Sequence, residues 1–232
     1  MTREEYKSVM HDSDICYNNS FRGMLCKRYN MHNKNFSVGG SSNQTQLRLA
    51  KNYFTSDQYQ HDQDQYNKII VLWGITSTAR NEAYFNESNQ RKSYFYTNNY
   101  TIAKVMATEY YNHDDEVEQL ASEIKFWNMF FKREGLEHLW FDTFNHHDYA
   151  ASATDHFLFS RHSPRDLLSQ LAINNGWQSK NDSYHRSEWA VDSERTQLLS
   201  EIKVINPYSL HPTQLGQEQI SKMFESYIES AQ

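Results

Sequence analysis

The chain has 232 residues, with 29 acidic and 23 basic side chains and a formal net charge of -6. That length suits one domain with a real core, and the lack of a basic excess argues against a general nucleic-acid binder. A mean hydropathy of -0.88, with no run of about 18 apolar residues, excludes an ordinary membrane-spanning chain. Hydrophobic residues make up only 38% but aromatics 15%, so Tyr, Phe and Trp are expected to carry much of the burial. The opening MTREEYKSVM lacks the apolar core of a signal peptide. Cys16 and Cys26 make neither a CxxC pair nor a disulfide framework. A reducing, cytoplasmic setting is therefore the expectation.

The elements follow in chain order. NFSV (35–38) reads as a short strand, and GGSSNQTQLRLA (39–50) as a glycine turn entering a helix capped by Ser42 or Asn43. KIIVLW (68–73) reads as a second strand, followed by Gly74 and the polar stretch ITSTARNE (75–82). QLASEIKFWNMFFKRE (119–134) places Leu120, Ile124, Trp127 and Phe131 at helical spacing. Gly135 then reads as a helix stop before a third strand, HLWFDTF (138–144).

Residues 145 to 195 are polar and rich in His and Asp, and read as an insertion or lid. Within that stretch SPRDLLSQLAINNG (163–176) carries helix signals, with Ser163 as cap, Pro164 in the first turn and Gly176 as stop. IKVIN (202–206) reads as a fourth strand. The last helix, TQLGQEQISKMFESYI (213–228), starts at Thr213 and places Ile220, Phe224, Tyr227 and Ile228 on one face. All four strands are short and unalternating, as buried parallel strands are. Their alternation with helices predicts an α/β fold with one mostly parallel sheet. Sites in such sheets form at the carboxyl ends of strands.

The glycines support that placement. Gly39, Gly40, Gly74 and Gly216 fall in or beside the expected strand-end loops, where glycine permits close approach to a ligand or a positive φ. Backbone N–H groups at the Gly39–Gly40 turn can hold an oxyanion, and Thr76, Ser77 and Arg80 can face the same site. The stretch is neither a P-loop nor a dinucleotide fingerprint. In NPYSLHPTQLG (206–216), Pro207 and Pro212 stiffen a turn around His211. The residue preceding a proline is extended, so His211 lies outside the helix, where it can act as a general base. His146, His147, Asp148, Asp155 and His156 cluster, but three residues in a row do not place three ligands on one face, so no metal or other cofactor is expected.

Taken in order over residues 20 to 230, these blocks resemble the SGNH, or GDSL-like, hydrolase family. NFSVGGSSNQTQL is similar to that family's second block, IIVLWGITS to its third and LHPTQLGQEQIS to its fifth. The pairing of GGSSN with a W-G-x-T-x-x-x-R pattern is similar to divergent members encoded by bacteriophages. The resemblance implies a single domain over 1–232 with a three-layer α/β/α, flavodoxin-like fold. It implies His211 as base, Gly40 and Thr76 as the oxyanion hole, and Ser41, Asn43 and Arg80 as residues lining the site. The substrate would be a small ester or an acylated carbohydrate, without nucleic-acid or membrane partners.

The first block departs from the pattern. Ser13, in MHDSDICYNNS, is the nearby Asp-Ser candidate for the nucleophile, and no apolar strand precedes it. Either the chain begins downstream of the first strand and its serine, which is the preferred reading, or the nucleophile has been lost and the fold retained for binding. In the second case the protein is a catalytically silent viral structural or carbohydrate-binding protein, with Trp177 and Trp189 offering stacking surfaces. The position of the triad acid holds Tyr208, and Asp142, Asp192 or a backbone carbonyl can orient His211 in its place.

Overall fold

The computed structural model describes residues 17–37, 41–85, 90–95, 101–143, 156–158, 166–176, 201, 203–206 and 211–231. In chain order the elements are α1 (Phe21–Tyr29), α2 (Asn43–Phe54), α3 (Asp57–Gln65), β1 (Ile70–Ile75), β2 (Arg80–Phe85) and β3 (Gln90–Phe95). They continue with α4 (Thr101–Val105), a π-helical turn (Met106–Tyr110), α5 (His113–Arg133), β4 (Glu137–Asp142), α6 (Leu167–Asn174) and α7 (Gln214–Ala231). The fold is mixed α/β, and the chain divides into two compact units, residues 1–35 with 167–232 and residues 36–166.

Polar caps start the helices. Ser20, Ser42, Ser56 and Asn112 each accept a first-turn amide through the side chain, satisfying donors that the helix itself cannot. Of the two candidates before α2, Ser42 is the cap. α5 buries Leu120, Ala121, Ile124, Trp127 and Phe131 on one stripe. It ends in a Schellman arrangement: Leu136 N donates to the Phe131 carbonyl at 2.9 Å and Gly135 N to that of Lys132 at 3.3 Å. Gly135, at φ 67°, supplies the left-handed residue that this stop requires, and the chain passes directly into β4.

In the unit of residues 36–166, β1 and β4 pair in parallel, with Trp73 opposite Trp140 and Ile75 opposite Asp142. Phe157 bridges β4 in parallel at Trp140. Trp140 N donates to the His156 carbonyl at 2.8 Å and Leu158 N to that of Trp140 at 2.9 Å. β4 thus has backbone partners on two edges, and every residue from His138 to Asp142 is buried, as the unalternating sequence predicts.

The core of this unit is aromatic. The Trp73 and Trp140 rings stack at 4.7 Å, and Trp127 meets Trp73 at 5.3 Å and Phe131 at 5.5 Å. Polar tips find partners at the edge: Trp73 donates to Gln46 Oε1 at 2.9 Å and Trp140 to Asn128 Oδ1 at 2.7 Å. His138 Nε2 lies 2.9 Å from the same Asn128 oxygen. That oxygen is an acceptor, so the neutral His138 ring carries its proton on Nε2. Burial, reinforced by the His156 ring tilted against it at 4.1 Å, pushes the His138 imidazole down to about 4.

In the unit of residues 1–35 and 167–232, α7 buries Ile220, Phe224 and Ile228. Phe224 stacks on Phe21 of α1 at 5.2 Å. Phe21 N donates to Gln217 Oε1 at 2.9 Å, and Arg28 pairs with Glu225 at 2.6 Å. α6 contributes Leu167, Leu168, Leu171 and Ala172 to the buried set, and Gly176 stops it at φ 94°.

Several expectations are corrected. Residues 35–37 form no strand, and Val38 lies outside the described residues. The fourth run is a single antiparallel bridge, Ile205 to Pro212, because Lys203 turns the chain at φ 59°. The sheet is not one mostly parallel array among the described residues: β2 and β3 form a separate antiparallel pair with Arg80 opposite Phe95. Gly74 lies inside β1 rather than in a loop, where a Cβ would come within 2.8 Å of the Phe141 ring and the Thr143 methyl. Gly216 lies in α7, where a Cβ would collide with the Val204 carbonyl oxygen. Both glycines serve close packing. Of residues 145–195, 156–158 and 166–176 are described. No described helix is long and apolar enough to cross a membrane.

Two outcomes follow. Gly216→Ala gains up to about 1 kcal/mol of helix propensity, but collision with a backbone atom dominates. The expected net loss is about 1–2 kcal/mol in urea denaturation. The depressed His138 value means that the unfolded chain, titrating near the usual ~6.5, binds the proton before the folded one. This contribution is present above about pH 6.5 and lost as pH falls toward 4. Wild type should therefore lose more stability between pH 7 and 4.5 than His138→Gln, which keeps a donor for Asn128. Equal losses would contradict the assignment.

Candidate functional site

The carboxyl end of β1 is where the described residues gather the polar groups singled out from the sequence. Ser41 and Ser42 lead into α2, and residues 76–79 connect β1 to β2. The Asn43 carboxamide closes both backbone groups of Thr76: Nδ2 donates to the Thr76 carbonyl at 3.0 Å and Oδ1 accepts the Thr76 N–H at 2.9 Å. Arg80 Nη1 donates to the Ser41 carbonyl at 3.1 Å. The loop is also braced internally, with Arg80 N donating to the Ser77 carbonyl at 3.2 Å and Ala79 N to Ser77 Oγ at 3.2 Å. Across the sheet, Thr143 N donates to the Ile75 carbonyl at 2.9 Å.

A buried carboxylate reinforces this corner. Glu82 accepts from Thr45 Oγ1 at 3.1 Å, Arg48 Nε at 3.2 Å and Arg48 Nη2 at 2.7 Å. The forked contact satisfies the planar guanidinium from two of its donors, and the hydrogen bond to Glu82 raises Arg48 above its ordinary range. The start of β2 is thereby tied to α2 at Thr45 and Arg48, and to Ser41 just before the helix cap.

Ser41, Asn43, Thr76 and Arg80 thus come together in one unit. Their roles are more structural than their sequence positions suggest. Asn43 spends its carboxamide on Thr76, and Arg80 reaches a backbone carbonyl. Thr76 is buried, and its amide goes to Asn43. Gly40 and Ser13 lie outside the described residues, as do Tyr208, Asp192, Trp177 and Trp189. Of the histidine-rich cluster only His156 is described, and among the described residues no group of three or more His, Cys, Asp or Glu side chains is placed to hold a metal ion.

His211 belongs to the other unit. Its carbonyl accepts the Asn206 N–H at 2.8 Å, and the next residue, Pro212, makes the bridge to Ile205. Thr213 N donates to the Val204 carbonyl at 2.9 Å. The Thr213 hydroxyl donates to the Lys203 carbonyl and accepts the Gly216 N–H at 3.3 Å. The His211 carbonyl and the residues that follow it are therefore tied to residues 203–206, while His211 itself is exposed. His211 lies outside the helix, as expected for a residue before proline. Asp142 is buried at the end of β4, in register with Ile75.

One group escaped the sequence reading. Thr78 Oγ1, Tyr111 OH and His113 Nδ1 lie 3.2 Å from one another. Thr78 stands inside the ITSTAR stretch already noted, and His113 opens α5 in YNHDDE. Their separation of 35 positions hides the pairing, although an Asn-His pair at a helix start is itself a visible cap signal.

Asn43→Ala would strand the Thr76 N–H and C=O in a buried position and should cost about 2–4 kcal/mol in chemical denaturation. A loss below about 0.5 kcal/mol would mean that the clamp is dispensable. No family model, no curated protein and no solved structure matches the chain.

Proposed function

We propose that the chain is an SGNH-like ester hydrolase of three-layer α/β/α architecture, acting on a small acyl ester such as an acetyl group on a carbohydrate. The observation that carries this reading is the two-bond clamp of Asn43 on Thr76. It makes hydrogen-bonded neighbours of the two stretches that resemble successive family blocks. The parallel pairing of β1 and β4 and the ties of residues 211–213 to residues 203–206 add support.

In this mechanism a serine hydroxyl, with Ser13 as the candidate, adds to the acyl carbon. His211 accepts its proton and later returns it to the leaving alcohol. The Gly40 N–H and the Thr76 hydroxyl stabilise the oxyanion. This chemistry needs no cofactor.

The second reading is a catalytically silent carbohydrate-binding or virion protein on the same fold. It is favoured by the Thr76 amide being occupied by Asn43 Oδ1, which leaves the hydroxyl as that residue's donor. Hydrolysis of p-nitrophenyl acetate separates the two. The hydrolase reading expects His211→Ala to lower kcat/KM by about 10²–10⁴-fold. An unchanged rate would refute the role of His211. No hydrolysis by the wild type, combined with binding of an acetylated oligosaccharide, would favour the silent protein.

A further inference from the structure

We propose that Thr78 and His113, with Tyr111, form a second nucleophile–base site at the carboxyl end of β1, competent to take an acyl group from a small activated ester. It goes beyond the His211 mechanism and requires neither His211 nor Ser13.

The proton count of the cluster is the first argument. The atoms Thr78 Oγ1, Tyr111 OH and His113 Nδ1 form a triangle with sides of 3.2 Å. A neutral imidazole protonated on Nε2 offers one lone pair at Nδ1, and each hydroxyl has one proton to give. Two of the three sides can therefore be hydrogen bonds at once. Either Tyr111 donates to Thr78 and Thr78 to His113, or the two hydroxyls exchange roles. The first arrangement is a hydroxyl in contact with a base, the relation that activates an alcohol nucleophile.

The second argument is preorganisation. Thr78 sits in a loop whose backbone is held at Thr76 by Asn43, at Arg80 by Ser77 and through Arg80 by Ser41. His113 is fixed as the first residue of α5, behind the Asn112 cap that accepts the Asp114 and Asp115 amides. Reactive groups held by rigid elements keep their geometry without further ordering. The position follows the general rule for parallel strands, whose carboxyl ends carry sites.

The third argument concerns access. Thr78 is 4% exposed, His113 is exposed and Tyr111 is half-buried, packed against the buried Ala103. Tyr111 follows the π-helical turn Met106–Tyr110, which buries none of its side chains and leaves Tyr110 71% exposed. Such turns recur at functional positions. The reaction requires the Tyr111 ring to turn aside, so that the exposed side of the triangle at His113 admits the ester to Thr78.

The reaction balances without an external oxidant or reductant. The Thr78 Oγ1–H bond breaks, its proton moves to His113 Nδ1, and Oγ1 bonds to the ester carbonyl carbon. The adduct collapses, the bond to the leaving oxygen breaks, and that oxygen takes the proton from His113. Water, deprotonated by His113, then adds to the acyl-threonine. The acyl–Oγ1 bond breaks, the carboxylic acid departs and Thr78 recovers its proton.

The test is to react the full chain with a fluorophosphonate probe, map the adduct by peptide mass spectrometry and follow p-nitrophenyl acetate hydrolysis in parallel. The expected adduct is on Thr78. It should persist in Thr78→Ser, disappear in Thr78→Val, and form at least about 100-fold more slowly in His113→Asn, which keeps a polar group near Nδ1 but no base. Circular dichroism melts check that the variants fold, and the wild-type map stands without them. An adduct on a serine with Thr78 unmodified would overturn this proposal and leave the hydrolase reading standing. No adduct and no hydrolysis would overturn both. A Thr78 adduct formed at the same rate in His113→Asn would overturn the role of His113.

Discussion

The Asn43 carboxamide is the constraint on which the corner around β1 depends. A peptide group at a buried strand end must find partners for both its N–H and its C=O. Thr76 finds both in one side chain, so the loop leaving β1 cannot shift relative to the first turn of α2 without losing two hydrogen bonds together. Arg80 on Ser41 and Glu82 on Thr45 and Arg48 extend the same bond between α2 and β2. Residues 76–79 are a loop, but one held at both ends by hydrogen bonds.

Behind that corner the aromatic core sets the strand register. Trp73 and Trp140 are opposite one another in the parallel pair, and their rings stack. A slip of either strand by one residue would turn its own tryptophan to the other face of the sheet and break the stack. Gly74 is the complement: with no Cβ, it lets the Phe141 ring lie over β1. β4 buries His138 as well, at the cost of its protonation, and Asn128 meets that cost by accepting from His138 and Trp140 together. The core therefore contains an imidazole kept neutral, and the polar corner beyond it rests on a backbone whose register is fixed.

The elements with strong periodic or cap signals were legible in the sequence. The stripe of Leu120, Ile124, Trp127 and Phe131, the stop at Gly135 and the following strand are all present. So are the Gly176 stop and the buried face of α7. Legibility failed where one residue type has two physical uses. Glycine at 74 and 216 fits close approach to a ligand or a positive φ, yet each is required by a close neighbour that only the fold supplies. The run IKVIN looks like a strand, but a left-handed Lys203 limits it to one bridge. The β2–β3 pair was missed because RNEAYF and QRKSYF are too polar to stand out as buried strands.

The candidate site was legible in the same uneven way. Ser41, Asn43, Thr76 and Arg80 come together in one unit, but the partners they make there are not visible in the sequence. Asn43 and Arg80 turn to backbone, and the hydroxyl–imidazole contact falls on Thr78 and His113, which no short motif links. The central claim is that the loop after β1 is rigid because Asn43 holds it. Amide hydrogen exchange at Thr76 tests this most directly. The account predicts protection comparable to the amides within β1, falling to that of an exposed loop in Asn43→Ala while the α5 amides stay protected. Fast exchange at Thr76 in the wild type would contradict it.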